Sequence, residues 1–453
     1  MNLETLRSEL QVVVRLAATM AATRLLTYLS GVISMAIVGH FSTVAMASLT
    51  LAIAVQQVMI VACFSGLVGT ETEVAKRYGA GEHREATAFA VSSILVGLSL
   101  GILMAGMSLG FYSMLASHPS GSGIDASSPL LTIGCGIPAL CVYLSISFYF
   151  EAIQRPRIVL FLAALGTFVN AIATYGLVRI ATSISVSPEF SAALALTLSR
   201  FLQASVALAL VIWLNRTEVR SAVLRSRDRF LKDFAALVKI GVPAGTADAL
   251  TTIAVSSMTL LVGRLGVVAL NAYQIASQWL GLLMLIGAGC ATAATIRATQ
   301  AVGNQDHIRA VSATIAGIVV LIALDVIVAI AYLTAPGLWS QMYGVSQHAA
   351  RYAIWNQAWA TLIFVIECPL VLLIGVGRAH GITVKLPAIK AACFIVIALP
   401  ICFWIVTRLT NPLPFLLAGI APAVAVALSV IAWKMRGALG IGNVEARAGV
   451  SRL

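Results

Sequence analysis

Long apolar runs broken by short polar connections set the pattern of this chain. A helix needs about 20 apolar residues to cross a hydrocarbon layer, and about twelve stretches reach that length. They fall at residues 12–39, 47–75, 88–114, 127–153, 158–181, 189–214, 235–263, 268–296, 311–334, 345–376, 382–407 and 411–433. Lipid offers no partner to an unpaired backbone group, so such runs predict an all-α integral membrane protein.

The pattern also repeats. Gly39 and Gly263, Ala45 and Ala269, Ala52 and Ala276, Gly79 and Gly303, and His83 and His307 each stand 224 positions apart. The register persists to the break Glu151-Ala-Ile-Gln-Arg-Pro156, which falls opposite Gly375-Val-Gly-Arg-Ala-His380. Six spans per copy is an even number, so both copies enter the membrane from the same side and form two parallel six-helix repeats. Such duplication marks a two-lobed transporter, in which rocking lobes open a shared site to either side. The boundaries read as an N-terminal lobe over 1–214, a basic linker over 215–234, a C-terminal lobe over 235–436 and a tail over 437–453.

Two connections match in composition, Tyr78-Gly-Ala-Gly-Glu-His-Arg84 and Val302-Gly-Asn-Gln-Asp-His-Ile308. Glycine permits the positive φ of a tight turn, and the acid after it is placed to cap the next helix. A phosphate-binding loop is excluded, because no GK[ST] follows and no strand precedes.

Composition agrees with a membrane protein: 60% of residues are apolar and 10% charged, against roughly 25% charged in soluble chains. The net charge of +12 is topological. Lys76, Arg77 and Arg84, Arg155 and Arg157, the linker from Arg216 to Lys232, Arg297 and Arg309, Arg378 and Lys385, and the tail from Lys434 all fall in alternate connections. This positive-inside bias places both termini and the linker in the cytoplasm, at the inner membrane if the cell is bacterial, and argues against a nucleic-acid partner. The linker reads as a solvated tether near anionic lipid. Met1 to Glu9 reads as a short cytoplasmic lead into a retained first helix. The seven cysteines lie within spans without a CxxC pair or a histidine cluster, so neither disulfides nor a metal site is expected.

Ile33-Ser-Met-Ala-Ile-Val-Gly-His40, Tyr78-Gly-Ala-Gly81, Asn170, Lys239-Ile-Gly-Val-Pro243, Gly263-Arg-Leu-Gly-Val-Val-Ala-Leu270, Gln274 and Gly375-Val-Gly-Arg378 occur in order along nearly the whole chain. In these residues the chain resembles the multidrug and toxic compound extrusion (MATE) transporters. The resemblance implies two six-helix lobes forming a V, and efflux of organic, often cationic or amphipathic compounds in exchange for protons or sodium ions. It implies no ATP and no cofactor beyond the ion gradient. The expected partners are small-molecule substrates and the lipid bilayer, with the chain acting as a monomer.

An acid retained in the apolar interior usually faces a cavity or a charged partner. Glu367, in Ile363-Phe-Val-Ile-Glu-Cys-Pro369, stands eleven residues before Arg378, where the NorM-like branch carries its membrane carboxylate. It is the first candidate for ion coupling, with static pairing to a buried Arg as the alternative. Asp248 is the second. Many relatives carry a Glu eight residues after the proline of Lys239-Ile-Gly-Val-Pro243, and Thr251 stands there. Asp248 lies on nearly the same helix face, about 4.5 Å away along the axis at 1.5 Å per residue. Its repeat counterpart is Arg24, so Asp248 reads equally as a coupling group or as an ion-pair partner of Arg24.

Two departures bear on the ion. Ser34 occupies the place of the first-span Asp usual in bacterial members, and Ile363 replaces a Tyr found in sodium-coupled ones. Both remove oxygen ligands that a dehydrated sodium ion would need, which favours protons. Arg24, Ser34, Gln56, Gln57, Tyr143 (the counterpart of Glu367), Asn170, Thr251, Gln274 and Gln278 are the candidate cavity residues, although interhelical hydrogen bonds explain such groups equally well. The twelve Met and seven Trp fit an adaptable cavity and ordinary packing alike.

A lipid or lipid-linked oligosaccharide flippase of the same superfamily is the neighbouring alternative, but it calls for a cationic interior. Arg24, Arg200 and Lys390 stand here against Asp248, Glu367 and Asp325. A membrane-embedded transferase would require a DDxxD or HxxxxD motif, and the chain has neither.

Overall fold

The computed structural model describes residues 3–117, 126–183, 186–223, 227–341 and 347–438. Arg225 of the linker and the tail from 439 onward lie outside the described residues. The described residues contain no strand. Eleven helices among them are long and apolar enough to cross a membrane, or twelve if one bent pair counts as a single span. The chain is therefore an integral, multi-pass helical membrane protein.

The helices are α1 (Leu3–Phe41), α2 (Thr43–Gly79), α3 (His83–Ser117), α4 (Ser127–Gly134), α5 (Ile137–Ala152), α6 (Pro156–Ser183), α7 (Pro188–Leu214) and α8 (Arg216–Val223). They continue with α9 (Arg227–Gly263), α10 (Val267–Gly303), α11 (His307–Thr334), α12 (Leu338–Gln341), α13 (Gln347–Ala379), α14 (Lys385–Cys393), α15 (Leu399–Arg408) and α16 (Ile420–Ala438). A π-helical turn, Phe394–Ala398, joins α14 to α15.

The repeat is visible in the helix limits. Both ends of α2 and α10, and the starts of α3 and α11, differ by the 224-position offset. The matched turns adopt the same backbone form. Gly81 has φ +80°, and its counterpart Gln305 takes the same left-handed region at φ +58°. The Asp306 carboxylate then accepts the Arg309 backbone N–H at 2.9 Å, capping α11.

Two local features differ from the pattern. The span expected over 127–153 is bent by 43° between α4 and α5. Pro138, at the start of α5, has no N–H to give to the carbonyl one turn back, and the helix bends there. The linker is also more ordered than a tether: α8 packs against α3, and α9 begins at Arg227, ahead of the expected 235.

Contacts divide the chain into two compact units, Ala22–Gly245 and Met1–Ala21 with Thr246–Leu453. The boundaries fall inside α1 and α9. In the first unit, Val38, Leu49, Leu130, Ile133 and Val178 form one apolar core, and Met59, Leu67, Ile137 and Phe148 form another. In the second unit α13 runs along α10, with Ala272, Ile275 and Ala353 buried between them.

The beginning of α9 lies close against α2 because Gly241 faces Gly66. A Cβ at Gly241 would stand 2.0 Å from the Gly66 carbonyl oxygen, and backbone cannot yield as a flexible side chain can. Gly241→Val is expected to destabilise the protein by at least about 1–3 kcal/mol, the range for overpacking. Loss of thermal stability in detergent checks this, and an unchanged melting curve would refute the close approach.

The same helix beginnings carry buried acids at matching repeat positions, Glu9 in α1 and Asp233 in α9. Glu9 is 1% exposed. It accepts hydrogen bonds from Arg297 Nε (2.9 Å) and Nη2 (2.7 Å) and from Arg309 Nε (2.6 Å). Asp233 pairs with Arg77 at 3.3 Å and accepts the Ser92 hydroxyl at 3.0 Å. α1 is thus helical from Leu3, and its acid Glu9 is buried and paired.

Candidate functional site

Inside Met1–Ala21 with Thr246–Leu453, α13 places Glu367 two residues before Pro369, a proline within the helix. Its Oε1 lies 2.8 Å from Lys390 Nζ, and the two side chains are 11% and 14% exposed. Lys390 sits in the last turn of α14, just ahead of the π-helical turn, with its ammonium 5.9 Å from the Phe394 ring centroid. Asp248, one turn beyond Pro243 in α9, lies within electrostatic reach of the same ammonium. Glu367 and Lys390 are therefore an ion pair, with Asp248 near enough to act on the same ammonium. Isolated, each charge would be costly in this setting; together they offset one another.

Nearby on α11, Asp325 is buried, and its Oδ1 has no hydrogen-bond partner. It acts electrostatically on Cys368, the neighbour of Glu367. Thr251 returns its hydroxyl to the Ala247 carbonyl at 2.9 Å. Gln274 and Gln278 are exposed, one turn apart on a single face of α10. A cavity of about 130 Å³ in the same unit is lined by Trp279, Tyr332, Trp339 and Gln357 among others, and neither Glu367 nor Lys390 borders it. It is smaller than the roughly 300–1,000 Å³ that drug-sized ligands occupy.

Inside Ala22–Gly245 the polar groups are arranged differently. Arg24, which the sequence offers as a partner for Asp248, pairs with Glu151 at 3.4 Å, and its guanidinium lies 4.8 Å from the Phe64 ring centroid. Tyr143 is buried within electrostatic reach of this pair. Ser34 sits in a hydrogen-bonded network in which Asn170 Oδ1 is left without a partner. The Asn170 amide donates to the Ser34 hydroxyl at 2.7 Å and to the Ser30 carbonyl at 3.0 Å, and the Thr174 hydroxyl lies 3.3 Å from that of Ser34. At Ser34 this chain ties α1 to α6 with neutral groups.

Gln56 and Arg200 serve the bend between α4 and α5. Gln56 Nε2 donates to the Ile133 carbonyl at 2.9 Å, Arg200 Nη1 to the same oxygen at 3.3 Å, and Arg200 Nη2 to Gln56 Oε1 at 3.4 Å. Gln56 is 1% exposed and held to the bend by these bonds. Gln57, the next residue, is exposed. Among the described residues no group of three or more His, Cys, Asp or Glu is placed to hold a metal ion.

Sequence reasoning missed both pairings. Glu151 was visible as an acid in the last turn of an apolar span, which is itself a signal for a buried partner. Lys390 was visible as a membrane cation, but nothing in the linear pattern turns its helix face toward Glu367.

A duplicated, lipid-spanning helical architecture with ionisable pairs held among its helices defines a membrane transporter. The chain belongs to the MatE family, whose profile matches residues 20–176 and 243–404. The two matched blocks begin within one position of the repeat offset. A probable multidrug resistance protein NorM from Caulobacter vibrioides is 25% identical over 307 residues, covering 64% of this chain and 62% of that protein. One from Synechococcus sp. is 25% identical over 341 residues, covering 70% and 69%. An outward-facing multidrug resistance MATE family transporter of the MOP superfamily superposes with a TM-score of 0.83 at 20% identity, over 96% of this chain and 98% of that one. That likeness establishes the fold, and membership of the family makes the chain a transporter and not an enzyme.

Proposed function

We propose that this chain exports organic, cationic or amphipathic compounds by antiport with protons, and that Glu367 carries the coupling proton. The observation that carries the reading is the ion pair itself: Glu367 held by Lys390 at 2.8 Å, with Asp248 within electrostatic reach of the same ammonium. Protonation of Glu367 removes the negative charge that holds a substrate cation, and deprotonation restores it, so proton and cation compete for one site. Such competition is what exchange under alternating access requires.

Protons are favoured over sodium on ligand chemistry. Sodium needs several oxygen ligands, whereas a proton needs one titratable group. Ser34 is engaged with Asn170 and Thr174, and Ile363, one turn before Glu367, is fully buried hydrocarbon. The positive-inside bias orients the protein with both termini in the cytoplasm, and the substrate leaves on the opposite side. Neither a metal nor an organic cofactor enters the cycle, and the single chain is the working unit.

Membrane vesicles carrying the protein test this with ethidium as the transported dye. An imposed pH gradient is expected to drive ethidium transport, and an equal sodium gradient at fixed pH is not. Transport that follows sodium alone would refute proton coupling, and transport that follows neither would refute antiport.

A further inference from the structure

We propose that the cavity bordered by Trp279, Tyr332, Trp339 and Gln357 is a second binding site, shaped for a small uncharged aromatic molecule that carries one hydrogen-bond acceptor, such as an aryl ketone. Its walls come from α10, the end of α11, α12 and α13, all within Thr246–Leu453. Gln357 stands ten residues before Glu367 on α13, about 15 Å along the axis at 1.5 Å per residue. The cavity is therefore separate from the ion pair of Glu367 and Lys390, and the proposal does not depend on the efflux reading.

The chain builds this site locally. Pro336 disfavours helix at the residue before it, so α11 stops at Thr334 and the chain turns back through the short α12. That turn brings Trp339 onto α10, where its indole N–H donates to the Ile275 carbonyl at 3.1 Å. The Trp279 N–H donates to the Thr361 hydroxyl at 3.1 Å, and the Tyr332 hydroxyl to the Ile354 carbonyl at 3.0 Å. With their polar edges engaged elsewhere, the three aromatic residues leave ring surface to line the cavity. The Trp279 and Trp339 rings are tilted by 54° with centroids 5.6 Å apart, an open wedge and not a parallel stack. At the 224-position offset their places, with those of Tyr332 and Gln357, are taken by Val55, Leu115, Ser108 and Ile133, so the site belongs to one copy only.

Size, polarity and one unpaired donor define the occupant. The volume is about 130 Å³, and an apolar cavity of about 150 Å³ holds one benzene ring. Among the described residues that line it none is charged. Gln357 is 1% exposed, and its amide Nε2 has no hydrogen-bond partner. A buried donor left unpaired is costly, and an acceptor carried in by a ligand removes that cost. A quaternary cation would gain from the ring faces, but it brings no acceptor and would meet the positive end of the amide. Ala335, Pro336 and Leu338 on the rim are exposed, so a single ring can enter from outside the fold.

The test compares acetophenone with ethylbenzene, which has nearly the same shape and no acceptor. Binding to the full-length protein in lipid nanodiscs is followed by saturation-transfer NMR, with partition into empty nanodiscs subtracted. The wild type is expected to bind acetophenone about three- to tenfold more tightly than ethylbenzene, the worth of one neutral hydrogen bond. Gln357→Leu keeps the side-chain size, removes the donor and is expected to abolish that preference while still binding ethylbenzene. Ala335→Phe, a change at an exposed wall position, fills the cavity and is expected to abolish binding of both compounds.

If Ala335→Phe binds acetophenone as the wild type does, the molecule sits elsewhere and the proposal is overturned. An unchanged preference in Gln357→Leu overturns it as well, as does a wild type that binds tetramethylammonium and not acetophenone. Should Gln357→Leu not fold, the wild type decides: a preference of at least threefold for acetophenone that Ala335→Phe removes supports the site, and no preference overturns it.

Discussion

Glu367→Gln is expected to reduce proton-driven ethidium transport at least tenfold, while the protein still reaches the membrane and still melts cooperatively. Glutamine keeps the volume and one carbonyl acceptor but cannot alternate between a charged and a neutral form, so the competition between proton and cation is lost. Truncating one partner of a buried ion pair ordinarily costs about 3–5 kcal/mol, because the other charge is left uncompensated. Here Asp248 remains within reach of Lys390, so the loss of stability should fall below that range and the loss of transport should dominate. Full transport by the variant at a normal expression level would remove Glu367 from the coupling role and leave it as a static partner of Lys390.

The second large effect is one of stability. Glu9→Ala removes a carboxylate that is 1% exposed and leaves Arg297, 13% exposed, without its anion, while Arg309, 48% exposed, can turn toward water. Three charge-assisted hydrogen bonds of 2.6–2.9 Å disappear at once. The expected cost is about 3–5 kcal/mol, the range for breaking a buried pair from one side. Asp233→Ala should cost less, on the order of 1–3 kcal/mol, because its hydrogen bonds are longer, 3.0–3.3 Å, and Arg77, 21% exposed, is less buried than Arg297, 13% exposed. Denaturation of the two variants in the same detergent gives the comparison. If Glu9→Ala costs no more than Asp233→Ala, burial is not what gives these acids their weight.

Much of the architecture was legible before any coordinates. The 224-position offset located the duplicated helices, and the ends of α2 and α10 agree with it residue for residue. The turn at Gly81 was legible because glycine admits the left-handed region, whereas in the second copy that conformation falls on Gln305 and not on Gly303, which the sequence did not indicate. The bend between α4 and α5 was present in Gly136-Ile-Pro138 but is masked in the linear pattern, since hydropathy does not register a missing N–H. Pairings were the least legible. Glu367 and Lys390 are separated by the connection between α13 and α14, and sequence spacing does not set the relative rotation of two helices across a turn. Arg24 shows the same limit. Its repeat counterpart suggested Asp248, whereas its partner is Glu151, an acid that in the sequence only marked the end of a span. The partners of Glu9 were not legible either, because Arg297 and Arg309 stand 288 and 300 positions away along the chain.

The unit boundaries within α1 and α9 bear on how this gene product can be divided. A cut in the linker separates the two sequence repeats but not two self-sufficient pieces. The first piece would keep Arg77 and Gly66 but lose Asp233 and Gly241, which close upon them. The second would keep Arg297 and Arg309 and lose Glu9. Each copy finishes its fold with a helix start borrowed from the other, so the halves, once fused, became obligate companions, and neither is free to be lost, swapped or evolved alone.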